Sequence, residues 1–161
     1  MSVLQRFKSV PIACEVCRLD ALPDSAPKTS LDTITLGWEE RAKTRARRRS
    51  DGGVEFATAL PRATVLREDD CFILPQLVVR VVERFEPVLV IDPRTPEEWG
   101  LFAYHLGNSH QSIMLTAGAL VCADVPGARQ VLDYHGIPYT RAERPFTPVT
   151  LNPGHIPSEP V

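Results

Sequence analysis

Apolar and polar residues alternate from Leu31 to Leu36, the pattern of a strand with one buried face. The next segment, WEERAKTRARRRSDGG, carries no apolar stripe at helical spacing. Read as a strand, it sends Arg41, Lys43, Arg45, Arg47 and Arg49 to one side and Ala42, Thr44 and Ala46 to the other. Asp51-Gly52-Gly53 supplies a turn, after which Val54, Phe56, Thr58 and Leu60 alternate again. The expectation is a β-hairpin with one cationic face, either simply solvated or open to an acidic partner. Short apolar stretches at residues 71–74 and 77–82 flank Pro75, and residues 20–30 (DALPDSAPKTS) read as loop. Residues 1–84 are thus expected to form a small, all-β domain, with Arg84-Phe85-Glu86-Pro87 as the boundary.

Beyond the boundary the pattern changes. Val88-Leu89-Val90-Ile91 is a continuous apolar run, as in a buried strand. Thr95, Pro96 and Glu98 form a helix start with a capping box. Trp99, Phe102, Ala103 and Leu106 follow at core spacing, and Gly107 suits a left-handed stop. Ser109 to Leu115 reads as a strand, Thr116-Ala117-Gly118 as a turn and Ala119 to Cys122 as a strand. Asp124 is placed to cap a second helix that ends at Gly136, and Ile137 to Glu143 reads as the last strand. The order β-α-β-β-α-β over residues 85–148 predicts a ferredoxin-like domain and an α+β chain overall. Residues 149–161, poor in large apolar groups, are expected to be a flexible tail.

Composition narrows the functional classes. The chain has 161 residues, 43% of them apolar and 24% charged, which permits a packed core. A formal charge of −2 gives no footprint for nucleic acid or a membrane surface. There is no apolar run long enough to span a bilayer and no signal-peptide pattern, so a cytoplasmic location is expected. Cys14, Cys17, Cys71 and Cys122 do not make a disulfide framework. Cys14-Glu15-Val16-Cys17 lacks the second ligand pair of a zinc site and the strand-to-helix setting of a redox motif, so these thiols read as incidental.

No phosphate-binding loop, dinucleotide fingerprint or nucleophile elbow is present, which leaves the four histidines. His105 and His110 are five residues apart and cannot share one helical face. His105, in a last turn, and His135, beside a helix end, suit packing or a dipole-facing role. His110 follows the helix stop, where a side chain can be held firmly and still reach solvent. Imidazole is a good ligand for nickel, copper or zinc, but one imidazole makes no tight site. Two copies meeting across a two-fold axis solve that problem. His155, in the tail, is a further candidate ligand or a solvated side chain.

Ala103-Tyr104-His105-Leu106-Gly107-Asn108-Ser109-His110 resembles the YHLGNRH signature of the UreE family, the urease accessory nickel metallochaperones, with Ser109 replacing the usual arginine. Leu36-Gly37-Trp38-Glu39-Glu40-Arg41 with the basic run and Asp51-Gly52 resembles the family's first-domain pattern. Arg144-Pro145-Phe146-Thr147-Pro148 resembles its closing motif. The resemblance implies a non-enzymatic homodimer in which His110 meets its symmetry mate on Ni(II), with Zn(II) or Cu(II) accepted in vitro. His105 and Asn108 support that site, and His155 is the remaining candidate ligand. It further implies delivery to the urease assembly complex through its GTPase and the urease apoprotein, with Arg41, Lys43, Arg45, Arg47 and Arg49 facing a partner. The histidine-rich tail of many members is missing, as are their histidines at the positions of Ala123 to Pro126. Two other classes stay open: a metal-free interaction module, and a zinc-dependent hydrolase using His105 and His110.

Overall fold

A computed structural model describes residues 10–27 and 30–149. It is a mixed α+β structure dominated by sheets, and its contacts divide the chain into two units, Met1–Glu83 and Arg84–Val161.

The first unit carries β1 (Ile12–Ala13), β2 (Cys17–Arg18), a 3-10 turn, β3 (Leu31–Leu36), α1 (Trp38–Arg41), β4 (Arg45–Arg49), β5 (Glu55–Ala59), β6 (Asp70–Leu74) and β7 (Leu77–Glu83). These strands form a three-stranded sheet, β1-β5-β4, and a four-stranded sheet, β2-β6-β7-β3. The alternating residues Ile34, Leu36, Phe56, Phe72, Leu74, Val79 and Val81 all point into one shared core. Phe56 and Phe72 meet there at 5.3 Å between ring centroids. The hairpin is present, as the alternation predicts, with Arg47 opposite Ala57.

Two expectations for this unit need correction. It is not purely β, because Glu40 reaches back to the Gly37 N–H at 3.0 Å and closes one turn of helix over Trp38–Arg41. That turn removes Arg41 from the cationic face. Its side chain is fully buried, and its Nη1 donates to Glu83 Oε1 at 2.9 Å and to the Leu66 carbonyl at 3.1 Å. Lys43, exposed, precedes β4, so the strand face itself consists of Arg45, Arg47 and Arg49, all exposed. Arg48, of opposite parity, turns inward. It donates to the carbonyls of Glu40 and Lys43 and to the Thr58 hydroxyl, and its guanidinium lies 5.9 Å from the Phe72 ring centroid.

The hairpin turn is tied to β3 by carboxylates. Asp51 accepts from the Thr33 and Thr35 hydroxyls at 2.6 and 3.0 Å, and Asp32 accepts from the Gly52 N–H at 3.1 Å. A hydrogen bond from the Ser50 side chain holds the Asp32 carboxyl below its usual range, and one from Thr33 does the same for Asp51. A carboxyl whose folded pKa is depressed adds stability above its unfolded value, near about 4, and loses it as pH falls through the folded value. Denaturant melts of Asp51→Asn are therefore expected to show a smaller loss of stability between about pH 6 and pH 3 than the parent. Parallel pH curves for the two proteins would contradict this.

The second unit follows β8 (Phe85–Ile91), α2 (Pro96–Asn108), β9 (Ile113–Leu115), β10 (Leu120–Ala123), α3 (Pro126–Tyr134) and β11 (Thr140–Pro145). Its sheet order is β11-β8-β10-β9, with every neighbouring pair antiparallel. Leu89 and Ile91 of β8 and Leu120 and Cys122 of β10 form a core with Leu106, Ala128 and Leu132 of the two helices. The Thr95 hydroxyl accepts the Glu98 N–H at 3.2 Å, as expected of a cap. Glu98 departs from a standard capping box by taking the Arg94 N–H instead. Asp124 is not the second cap. Val125 holds that position, and the Asp124 carboxylate pairs with Arg129 and Arg141 at 3.3 and 3.4 Å. No helix among the described residues is long and apolar enough to cross a membrane.

Candidate functional site

The two helices of the second unit end in the same backbone motif. In α3, Gly136 adopts φ +63°, its N–H donates to the Asp133 carbonyl, and the Ile137 N–H donates to Leu132. These are the paired bonds of a Schellman stop, with glycine at the left-handed position and an apolar residue after it. In α2, the sequence points to Gly107 as the stop, yet the helix runs on to Asn108. The left-handed residue is His110, at φ +57°. Its N–H donates to the Gly107 carbonyl at 2.9 Å, and the Gln111 N–H to Leu106 at 3.0 Å.

An L-residue with a Cβ costs about 1 kcal/mol in this region relative to glycine. The sequence thus places an imidazole where its neighbouring helix uses glycine. Such departures gather at functional positions, and the ring here is exposed to solvent. The stop also shortens the expected strand at Ser109–Leu115 to Ile113–Leu115, because residues 109–111 are used to cap the helix. Gln111 closes the cap from the other side, with Nε2 donating to the Ser109 carbonyl at 3.0 Å. The C-terminal end of the α2 dipole gives this corner a partial negative charge, which favours a bound cation.

The His105 ring stacks on His135, 3.6 Å between centroids and 23° between planes, with Tyr104 edge-on at 5.5 Å. Tyr134 meets His135 edge-on at 4.9 Å. Periodicity gives no reason to pair His105 with His135, and only their shared position at helix ends hints that they meet. Asn108 is the last helical residue and is exposed. His155 lies outside the described residues. Among the described residues, no group of three or more His, Cys, Asp or Glu is gathered in a metal-holding arrangement.

Comparison with known proteins gives a consistent answer. Residues 18–82 match the profile of the UreE urease accessory protein, N-terminal domain, and residues 86–157 that of the UreE urease accessory protein, C-terminal domain. The chain is 38% identical over 119 residues to the urease accessory protein UreE of Burkholderia thailandensis, covering 72% of this chain and 55% of that protein. It is 36% identical over 118 residues to the UreE proteins of Burkholderia mallei and Burkholderia pseudomallei, covering 71% of this chain and 57% of each relative. The chain therefore spans little more than half the length of the curated relatives it matches.

Proposed function

Since the chain belongs to the UreE family of urease accessory proteins, we propose that it binds Ni(II) at His110 and delivers the ion during urease maturation, without catalysing a reaction. The observation that carries this reading is His110 itself, an exposed imidazole held at a left-handed helix stop where glycine would be less strained. One imidazole is a weak site, and the second comes from another copy of the chain in a two-fold dimer. An exposed stripe on α2 supports that dimer: Leu101, Tyr104 and Asn108 recur at helical spacing toward the end that carries His110. The βαββαβ order with its β11-β8-β10-β9 sheet supports a ferredoxin-like fold for this unit.

In this reading His155 is an additional ligand, and His105, stacked on His135, stiffens the end of α2 beside Asn108. The exposed row Arg45, Arg47 and Arg49 presents a cationic strand edge to an acidic surface of the urease assembly complex, its GTPase included.

Nickel titration of the full chain, with mass measured in solution, tests the central claim. The strongest site is expected to saturate at about one ion per two chains, in a dimer. A strongest site that fills at one ion per chain, in a monomer, would overturn the shared site.

A further inference from the structure

Cys14-x-x-Cys17 has no part in the proposed nickel site, and the structure gives Cys17 a partner other than Cys14. In the antiparallel pairing of β2 with β6, Cys17 stands directly opposite Cys71. Residues so opposed send their side chains to the same face of the sheet. Just beyond β2, Leu19 donates its N–H to the Asp69 carbonyl at 2.9 Å and continues the alignment. Directly opposed residues of an antiparallel pair have Cα atoms about 4.5–5.5 Å apart. That separation lies inside the Cα range a disulfide spans, and the Cβ atoms draw together by about 1 Å to close it.

The two side chains also pack together. Cys71 is fully buried with Ala26 and Val78, and half-buried Cys17 lies against this cluster, its Sγ 3.9 Å from the Cys71 carbonyl oxygen. All four cysteines of the chain are free thiols. A cavity of about 340 Å³, bounded by Ala13, Cys14, Val16, Cys17, Pro23 and Ile73, opens beside Cys17 and gives a small reagent access to it. The surrounding segment is a staple. Ile12–Ala13 pairs with β5 in one sheet and Cys17–Arg18 with β6 in the other, each through only two residues.

We propose that Cys17 and Cys71 form a thiol–disulfide exchange site for a low-molecular-weight disulfide of the glutathione type, and that closing the bridge locks this staple. The Cys17 thiolate attacks one sulfur of the reagent, forming a mixed disulfide and releasing one glutathione thiolate. The Cys71 thiolate then attacks Cys17 Sγ and releases the second. Both cysteine protons pass through solvent to the departing thiolates. One reagent disulfide is reduced to two thiols, and two protein thiols are oxidised to one disulfide. Burial raises both protein thiols above their ordinary range, Cys71 to about 11, with Asp70 adding to the effect on each. The exchange is therefore slow near neutrality, and the site responds to sustained oxidation rather than brief exposure.

The test is incubation of the full chain with glutathione disulfide at about pH 8.5, near the ordinary thiol pKa, followed by alkylation and peptide mass mapping. The expected product links Cys17 to Cys71. Because the bridge closes a span of 54 residues, its thermal midpoint is expected to rise by about 10 °C and to fall back with dithiothreitol. Cys17→Ser, at a half-buried position that tolerates the change, should abolish both effects, and Cys14→Ser should leave both. A Cys14–Cys17 link, a persistent mixed disulfide at Cys17, or a bridged product with an unchanged midpoint would each overturn the proposal.

Discussion

His110→Gly is expected to abolish high-affinity nickel binding while making the protein more stable, a combination that few substitutions produce. The imidazole contributes nothing to the core and occupies a left-handed position, so glycine there relieves up to about 1 kcal/mol. His110→Ala separates the two effects. It keeps an L-residue at φ +57°, so stability should stay within about 0.5 kcal/mol of the parent while the ligand is lost. Removing groups that merely orient a ligand weakens metal sites by about 10- to 100-fold, so removing the ligand itself should weaken nickel at least as much. Calorimetric titration and thermal melts on the same preparations give both readouts. If His110→Ala retains parental nickel affinity, the proposed site is wrong. If His110→Gly lowers stability, the strain argument is wrong whatever the metal does.

Arg41→Ala is expected to be the most destabilising single change in the first unit, by about 3 kcal/mol or more. The Arg41 side chain is fully buried, its Glu83 partner is 14% exposed, and the Leu66 carbonyl shares the same guanidinium nitrogen. Truncation leaves a mostly enclosed carboxylate without its counter-charge and opens a cavity as well. Arg41→Met fills the space but leaves Glu83 without its counter-charge, so it should recover little. The double variant Arg41→Met with Glu83→Leu removes both charges and should recover much of the loss. Denaturant unfolding of the parent, Arg41→Met, Glu83→Leu and the double variant measures the coupling directly. A loss below about 1 kcal/mol for Arg41→Ala would mean that the pair behaves as an exposed one.

The basic run shows where sequence reasoning works and where it stops. From Arg45 to Arg49, strand periodicity assigns sides correctly, and Arg45, Arg47 and Arg49 are exposed. Extending the same alternation back to Arg41 fails, because a single turn at Trp38–Arg41 resets the phase. Four residues are too few to show a helical stripe, and Glu40, which closes the turn, looks like any other charge in the run. Arg48 is a separate case. It falls on the inward side of the strand, but nothing local announces that an arginine will be accepted by two carbonyls, a hydroxyl and an aromatic face.

At the candidate site the motif was legible and its geometry was not. Gly107 is the natural local choice for a left-handed stop, yet the stop falls at His110, because Leu106 packs into the core and its carbonyl takes the Gln111 N–H. The stacking of His105 on His135 joins residues 30 positions apart that periodicity treats as unrelated.

The sequence alone determined the succession of elements in the second unit, most of the hairpin, and the family. These follow from alternation, capping residues and a contiguous motif, all local in the chain. Tertiary structure alone decided that Arg41 is an interior cation, that Cys17 faces Cys71 rather than Cys14, and that His110 is the strained end of a helix. Each of those depends on which distant backbone group or side chain arrives to satisfy a charge, a thiol or a free carbonyl. Local pattern does not encode such pairings, because they are settled only when the sheets and helices pack.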